Sequence, residues 1–302
     1  MNEKKYLALL ISYLLSLTTL EKMTLLNAVK SLEDFFNLST DDISYIIKRS
    51  LKTKKISKTD FEKKLNRALR LIDVYKIDMT CIGDSEYPKV LHKITNPPFI
   101  IFSRGAKIDD KKKIAIVGTR KPTTEAIKYT LELSRDISKL EYVVVSGLAY
   151  GIDSFAHRAT LESNGKTIAV LPSGLESIYP QSNSQLALRI LESGGSIISE
   201  YPPGVEPLKY RFLERNRIVS AISEAVIVVE APERSGALST ASHAMRQGKP
   251  VVVLEQLLNS EQNMGAKKLE AHIISSLSQL EHVLVNAKSI NTELFFSKGD
   301  CV

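Results

Sequence analysis

The spacing of apolar residues changes near residue 75, and the two spacings predict two kinds of structure. Before this point apolar residues recur every three or four positions, as at Leu7, Leu10 and Ile11, which predicts several short helices. The stretch 78–105 contains three prolines and a β-like run at 99–102, and we interpret it as a connector with an entry strand. We therefore predict a helical N-terminal domain over residues 1–77.

From residue 114 onward, short runs rich in Val and Ile alternate with helix-like segments. The strand-like runs are 114–117, 142–145, 167–171, 196–199, 225–229 and 250–254. The helix-like segments are 123–140, 153–164, 183–193, 214–223, 237–248 and one in the C-terminal part, from Lys267 to about Val285. This alternation predicts an α/β fold with a doubly wound, mostly parallel sheet buried on both faces. We assign residues 78–288 to this extended Rossmann-like domain and residues 289–302 to a polar C-terminal tail.

Glycine-bearing turns follow five of the predicted strands. They read GTRKPT, SGLAYGID, PSGLESIYP, SEYPPG and EAPERSG. Ligands of such sheets bind beyond the carboxyl ends of the strands, so we expect the functional site at this edge. The turns contain neither a G-x-G-x-x-G loop nor a Walker lysine motif, so NAD binding and ATP hydrolysis have no support.

The segment KYRFLERNR, residues 209–217, is the most informative about chemistry. It places four basic residues and two aromatic residues within nine positions. Arginines recognise phosphates, and an exposed ring lets an unpaired base stack, so we favour a groove for a phosphate-rich single strand. The alternative is a surface salt-bridge cluster with Tyr210 and Phe212 in the core.

Other polar pairs give weaker indications of catalysis. Asp153 and His157 have the spacing of an acid–base pair, but a helix-start aspartate with a neighbouring histidine is the simpler interpretation. Glu200 and Glu230 follow strands, yet nothing in the sequence brings them together. We predict no catalytic residue, no metal site and no cofactor.

Charge is unevenly distributed along the chain. The net charge is +7, and the first 113 residues hold 22 of the 41 Lys and Arg but only 14 of the 34 Asp and Glu. The first part is therefore +8 and the rest −1. Its basic run, residues 48–58, is either a phosphate-binding surface or, more simply, a solvated helix end and loop.

Three features indicate the cellular environment. The only cysteines, Cys81 and Cys301, lack metal-ligand spacing and are expected to be free thiols, which predicts a cytoplasmic protein. The apolar segment after Lys5 lacks a small-residue cleavage site, so we expect a core helix there and not a secretory signal. No apolar run reaches the roughly 20 residues of a membrane span, and we predict no membrane association.

Several long motifs resemble the bacterial DNA-processing protein family DprA, also called Smf. They are YPKVLHKITNPPFIIFSRG, IAIVGTRKPT, VVVSGLAYGIDSFAHRATLESNGKTIAVLPSGLESIYPQSN, GGSIISEYPPG and YRFLERNRIVSAISEAVIVVEAPERSGALSTASHAMRQGKPVVVL. The resemblance covers roughly residues 78–255. It implies a Rossmann-like domain that binds single-stranded DNA, forms homodimers and loads a RecA-type recombinase in natural transformation, without catalysis.

The resemblance also implies a set of DNA-binding residues. Phe212 would stack on a base, and Arg215 and Arg217 would line or brace the pocket, with Asn216 structural. The full predicted set is Gly118, Thr119, Arg120, Ser146, Gly147, Lys166, Lys209, Phe212, Arg215 and Arg217.

The sequence departs from the family pattern at its C-terminal edge. After the last predicted strand the chain reads LEQLLNSEQNMGAKKLEAH, where family members have a proline–glycine turn and a serine-rich loop, and a winged-helix-like domain is not expected. A divergent family member from a mobile element or defence locus is therefore an alternative. Others are a nucleotide-binding sensor, a nucleotide phosphoribohydrolase, although the PGGxGT-type loop is missing, and a purely architectural protein.

Overall fold

The structure is a computed structural model that describes residues 2–51, 57–108 and 111–296, with side chains as far as residue 286. The chain divides into two compact units. The first consists of Met1–Arg104, Leu171–Ile178 and Ile198–Leu208, and the second of Gly105–Val170, Tyr179–Ile197 and Lys209–Val302. Parts of the basic run (residues 52–56) and Cys301 lie outside the described residues.

Five helices form most of the described part of the first unit, as the three- and four-residue spacing predicts. They are α1 (Glu3–Ser12), α2 (Thr19–Ala28), α3 (Leu32–Asn37), α4 (Thr40–Ile47) and α5 (Lys58–Tyr75). Each begins after a polar residue whose side chain accepts a backbone N–H of the first turn. At α4 this residue is Ser39, which forms a reciprocal capping box with Asp42. The helices share an apolar core in which the rings of Phe35 and Phe61 meet edge to face at 5.5 Å.

The connector of the first unit holds more strand than its prolines suggest. Strand β1 (Asp78–Cys81) pairs antiparallel with β2 (Ile100–Gly105), so that Cys81 lies opposite Ile100. The sequence predicts only the second of these strands. Cys81 is buried, and burial raises the pKa of its thiol to about 11. This thiol is therefore protonated and unreactive at neutral pH.

The remaining strands are those predicted from the Val and Ile runs, with one addition. They are β3 (Lys113–Val117), β4 (Val143–Ser146), β5 (Thr167–Val170), β6 (Ser196–Ser199), β7 (Ala225–Val228), β8 (Val251–Leu254) and β9 (His272–Ile274). Within the second unit the order is β5-β4-β3-β7-β8-β9, and all these pairs are parallel. This order reverses between β3 and β7, as in a Rossmann sheet.

Helices cover both faces of this sheet, which confirms the predicted α/β Rossmann-like fold. They are α6 (Thr124–Lys139), α7 (Ile152–Glu162), α8 (Ser184–Glu192), α9 (Lys209–Ala221), α10 (Ala237–Arg246), α11 (Met264–Lys267) and α12 (Leu277–Phe296). Helices α6, α7 and α12 share one buried core with Ile114 and Ile116 of β3. Helices α9 and α10 pack against each other, α9 on β5 and α10 on β7 and β8.

Two element predictions are wrong in part. The single C-terminal helix predicted from Lys267 to about Val285 is replaced by α11, β9 and α12, because β9 finds a parallel partner in β8. Helix α9 begins at Lys209, five residues before the predicted start. Among the described residues, no helix is long and apolar enough to cross a membrane.

Candidate nucleic-acid interface

The strand order reverses between β3 and β7, and the carboxyl ends of these strands form the crevice in which Rossmann-type sheets bind ligands. Gly118, Thr119 and Arg120 follow β3, and Glu230 follows β7. The backbone N–H of Thr119 donates to the carbonyl oxygen of Glu230 at 2.7 Å, which joins the two strand ends.

Side chains of the chain itself fill the position where a dinucleotide would place its phosphates. The fully buried Glu230 carboxylate accepts the backbone N–H of Thr123 at 2.8 Å and the Thr123 hydroxyl at 3.0 Å, at the start of α6. A carboxylate there takes the electrostatic place of a phosphate at a helix N-terminus. A Cβ added to Gly118 would lie 2.5 Å from Cγ1 of Ile152, so the side chain of Ile152 already fills the space next to this glycine.

The turn after β4 supports the backbone at Arg120. Gly151 has a φ of +75° and lies so close that an added Cβ would be 2.3 Å from the carbonyl oxygen of Thr119. The next backbone N–H, of Ile152, donates to the same oxygen at 3.2 Å. The glycine is required both by its left-handed φ and by this close approach. Arg120 itself is exposed.

The polar groups of Ser146 and Gly147 have partners inside the protein. The fully buried Ser146 hydroxyl donates to the carbonyl oxygen of Ile116 at 2.6 Å. The Gly147 N–H donates to Oδ2 of Asp153 at 3.0 Å, and its carbonyl accepts Nη1 of Arg215 at 2.7 Å. This geometry gives both residues a role in holding the edge, and their predicted phosphate contacts stay predictions.

Arg215 is buried and joins the ends of two strands. Its guanidinium donates to Gly147 after β4 and to the Val170 carbonyl at the end of β5. The adjacent Asn216 donates to the carbonyl oxygen of Gly236 at 3.2 Å, next to the start of α10. Arg217 is 9% exposed, and its Nη1 lies 3.3 Å from the carbonyl oxygen of Glu214 in the same helix. Of the two predicted roles, lining or bracing, the hydrogen bonds of Arg215 fit bracing.

Asp153 and His157 bond to separate partners and not to each other in the described structure. Burial raises the pKa of Asp153, opposed by the charge of Arg215 and by the N–H groups it accepts. Nδ1 of His157 lies 2.7 Å from the hydroxyl of Thr167, and burial lowers the pKa of this histidine to about 3. A neutral, fully buried imidazole is a poor acid–base catalyst, which agrees with the simpler interpretation of the pair.

Three exposed or half-buried side chains form a second, outward-facing group, which we call the Arg120–Phe212–Tyr179 cluster. Cζ of Arg120 lies over the Phe212 ring, 5.3 Å from its centroid, a cation–π arrangement. The Tyr179 ring meets the Phe212 ring at 5.5 Å and 74°. Tyr179 is 42% exposed, whereas Phe212 is half-buried. A guanidinium can bind a phosphate, and an exposed ring can stack with an unpaired base.

The sequence does not single out Tyr179, although its motif PSGLESIYP is one of the five glycine-bearing turns. Nothing in the sequence places residue 179 beside residue 212. The available signal was its position after the third predicted strand, at the edge where ligands bind.

The two predicted lysines lie at different places in the second unit. Lys209 is exposed and precedes Phe212 by one helical turn of α9, so the two residues share a helix face. Lys166 is also exposed but immediately precedes β5, so it lies at the amino edge of the parallel sheet. Arg120 follows its strand, so Lys166 and Arg120 are at opposite edges. The predicted contact of Lys166 with DNA therefore stays a prediction, separate from the cluster around Arg120.

The strand order of the sheet and the crevice between β3 and β7 define the class of protein. It is a Rossmann-type α/β protein in which the protein's own side chains fill the usual phosphate position. Among the described residues, no group of three or more His, Cys, Asp or Glu side chains could hold a metal ion. A model of the family DNA recombination-mediator protein A matches residues 78–288. The chain belongs to this family, which confirms the resemblance found in its motifs.

Comparisons with individual proteins agree. The DNA processing protein DprA of Bacillus subtilis is 40% identical over 193 residues, which cover 63% of this chain and 65% of that protein, less than two thirds of its length. The crystal structure of DNA processing protein A from Streptococcus pneumoniae matches with a TM-score of 0.70 and 30% identity, covering 91% of this chain and 95% of that one. The protein from Helicobacter pylori, which has a unique single-stranded DNA binding mode, matches with a TM-score of 0.61 and 32% identity, covering 69% and 96%.

Proposed function

We propose that this protein binds single-stranded DNA at the Arg120–Phe212–Tyr179 cluster and catalyses no reaction on it. The observation that carries the proposal is the exposed Arg120 guanidinium over the Phe212 ring, 5.3 Å from the ring centroid, at the ligand edge of the sheet. Lys209, exposed one turn before Phe212, adds a second positive charge on the same helix face. The Helicobacter pylori relative supports the choice of ligand.

Single strands suit this cluster better than duplexes. The bases of a single strand are free to stack on an aromatic ring, whereas duplex bases are already stacked and paired. Charge in the second part of the chain is nearly balanced, so affinity there must come from a few local contacts and not from a general basic field. We therefore expect little sequence preference and a moderate salt dependence.

The wider role rests on the family. We propose that the protein acts in the cytoplasm as a homodimer and passes its strand to a RecA-type recombinase during natural transformation. A divergent member from a mobile element or defence locus would bind the same strand but use another protein partner. A nucleotide sensor or phosphoribohydrolase is disfavoured because Glu230 occupies the phosphate position at α6.

Fluorescence anisotropy with a labelled oligonucleotide tests the DNA-binding proposal. We expect the wild-type protein to bind a single strand at least about tenfold more tightly than the matching duplex. Arg120→Ala should weaken single-strand binding roughly tenfold, because one phosphate contact is lost. A salt titration should also show a slope smaller by about 0.7, the value for one phosphate contact on a single strand.

The matched control is Arg158→Ala. Arg158 is another exposed arginine of the second unit, and its Cζ lies 6.0 Å from the centroid of the Phe155 ring. Its removal should leave both affinity and salt slope unchanged. Equal weakening by the two variants, or wild-type protein that prefers duplex DNA, would refute the proposed interface.

A further inference from the structure

The Phe212 ring, the predicted stacking surface, already has neighbours on two sides. The Arg120 guanidinium lies over it, and the Tyr179 ring meets it at an interplanar angle of 74°. A base that stacked on the covered face would first have to displace the guanidinium. Tyr179 is the more accessible ring, since 42% of its surface is exposed while Phe212 is half-buried.

We propose that Tyr179 is a DNA-binding residue whose exposed ring stacks with a base of the strand, next to Phe212. The inference rests on the proposed single-strand binding function and assigns a residue to it. Arg120 and Tyr179 both contact the Phe212 ring, so a base on Tyr179 and a phosphate of the same strand on Arg120 would be bound around one ring.

The segment that carries Tyr179 is firmly anchored, as a stacking surface requires. Four residues further on, the buried Asn183 donates from Nδ2 to the carbonyl oxygen of Leu148 and to the hydroxyl of Ser154, both at 2.9 Å. The Asn183 N–H donates to the carbonyl oxygen of Pro180, also at 2.9 Å, which closes the turn after Tyr179. Because this turn is fixed to the loop after β4, little conformational entropy is lost when a base binds.

Two variants of Tyr179 test the inference in the anisotropy assay. Tyr179→Ala should weaken single-strand binding roughly 5- to 150-fold, the range for loss of one stacked base. The salt slope should stay at the wild-type value, because stacking releases no counterions. Tyr179→Phe keeps the ring and should bind within about twofold of wild type.

A third variant, Tyr179→Trp, detects stacking directly. The chain contains no tryptophan, so a tryptophan at this position is its only indole fluorophore. An unlabelled thymidine oligonucleotide should quench its emission, with the same midpoint as the anisotropy titration. The matched control is Tyr45→Trp on α4, where the wild-type tyrosine is 87% exposed, and its emission should not change.

The outcomes separate this inference from the proposed function. If wild-type protein fails to bind single strands, the proposed function itself is wrong. If wild type binds and Arg120→Ala weakens binding, but Tyr179→Ala binds within twofold of wild type, Tyr179 is not a binding residue and the function stands. A salt slope that falls in Tyr179→Ala would also overturn the stacking role.

Discussion

Gly147 and Arg215 show how single residues fix the edge of the sheet on which the cluster lies. The guanidinium of Arg215 packs directly on Gly147 while it donates to the carbonyl groups at the ends of two strands. A Cβ placed on Gly147 would lie 2.5 Å from Nη1 of Arg215. The arginine cannot move away without giving up these hydrogen bonds, so glycine is required here for a packing reason.

Gly147→Ala should therefore destabilise the protein by about 1–3 kcal/mol, the usual cost of forcing extra volume into a packed site. Urea denaturation, monitored by circular dichroism, measures this change in the free energy of unfolding. Gly236→Ala is the matched control, because Gly236 has a φ of −62° and an added Cβ would meet no atom of the described residues within 4 Å. The control should stay within about 0.5 kcal/mol of wild type. Equal stability of both variants would show that Arg215 relaxes freely.

At the level of elements, the start of α6 depends on a residue more than one hundred positions away. Glu230, after β7, accepts both the N–H and the hydroxyl of Thr123, which caps α6. Glu230→Ala leaves these donors without their partner and should lower the free energy of unfolding by roughly 1.5–3 kcal/mol. Glu230→Gln keeps one acceptor oxygen, so it should lower the free energy of unfolding by less than Glu230→Ala does. A loss below about 0.5 kcal/mol in the alanine variant would mean that water replaces the carboxylate.

The same pair of elements shows what the sequence can and cannot predict. The strands β3 and β7 were predictable because their apolar runs are buried on both faces and need no knowledge of neighbours. The cap on α6 was not, since periodicity gives no information about which distant carboxylate approaches a helix. Strand β9 was missed for a similar reason: its three residues become a strand only because β8 offers a parallel edge.

Prediction of the candidate site from the sequence is limited in a similar way. Arg120 and Phe212 were identified by motif, but their contact with Tyr179 joins three separate segments of the chain. Basic character alone does not distinguish lining from bracing for Arg215, which is only 4% exposed and hydrogen-bonded to strand ends. Charge in a sequence indicates a possible phosphate contact, while burial in the fold decides whether the side chain can reach one.

Across the whole molecule, a buried histidine makes stability depend on pH. Burial lowers the pKa of His157 to about 3, and the positive charge of Arg215 acts in the same direction. In the unfolded chain the pKa of histidine is about 6.5. Between these two values the unfolded state binds a proton that the folded state does not, so folding becomes less favourable as the pH falls. Burial raises the pKa of Asp153, and this residue has the opposite effect on stability. At pH values just above the usual pKa of an aspartate, the folded state holds a proton that the unfolded state has lost.

A variant isolates the part due to His157. The unfolded-state pKa of histidine is about 6.5. Protonation of His157 in the unfolded chain should therefore lower the free energy of unfolding by roughly 2 kcal/mol when the pH falls from 7.5 to 5. His157→Asn cannot take up the proton, so the stability difference between wild type and variant should shift by this amount in favour of the variant at pH 5. Urea denaturation of both proteins at the two pH values measures the difference, and the Asp153 contribution cancels because both proteins contain it. An unchanged difference would mean that His157 is protonated in the folded protein as readily as in the unfolded chain. Its full burial, with no hydrogen-bond partner for Nε2 among the described residues, argues against this.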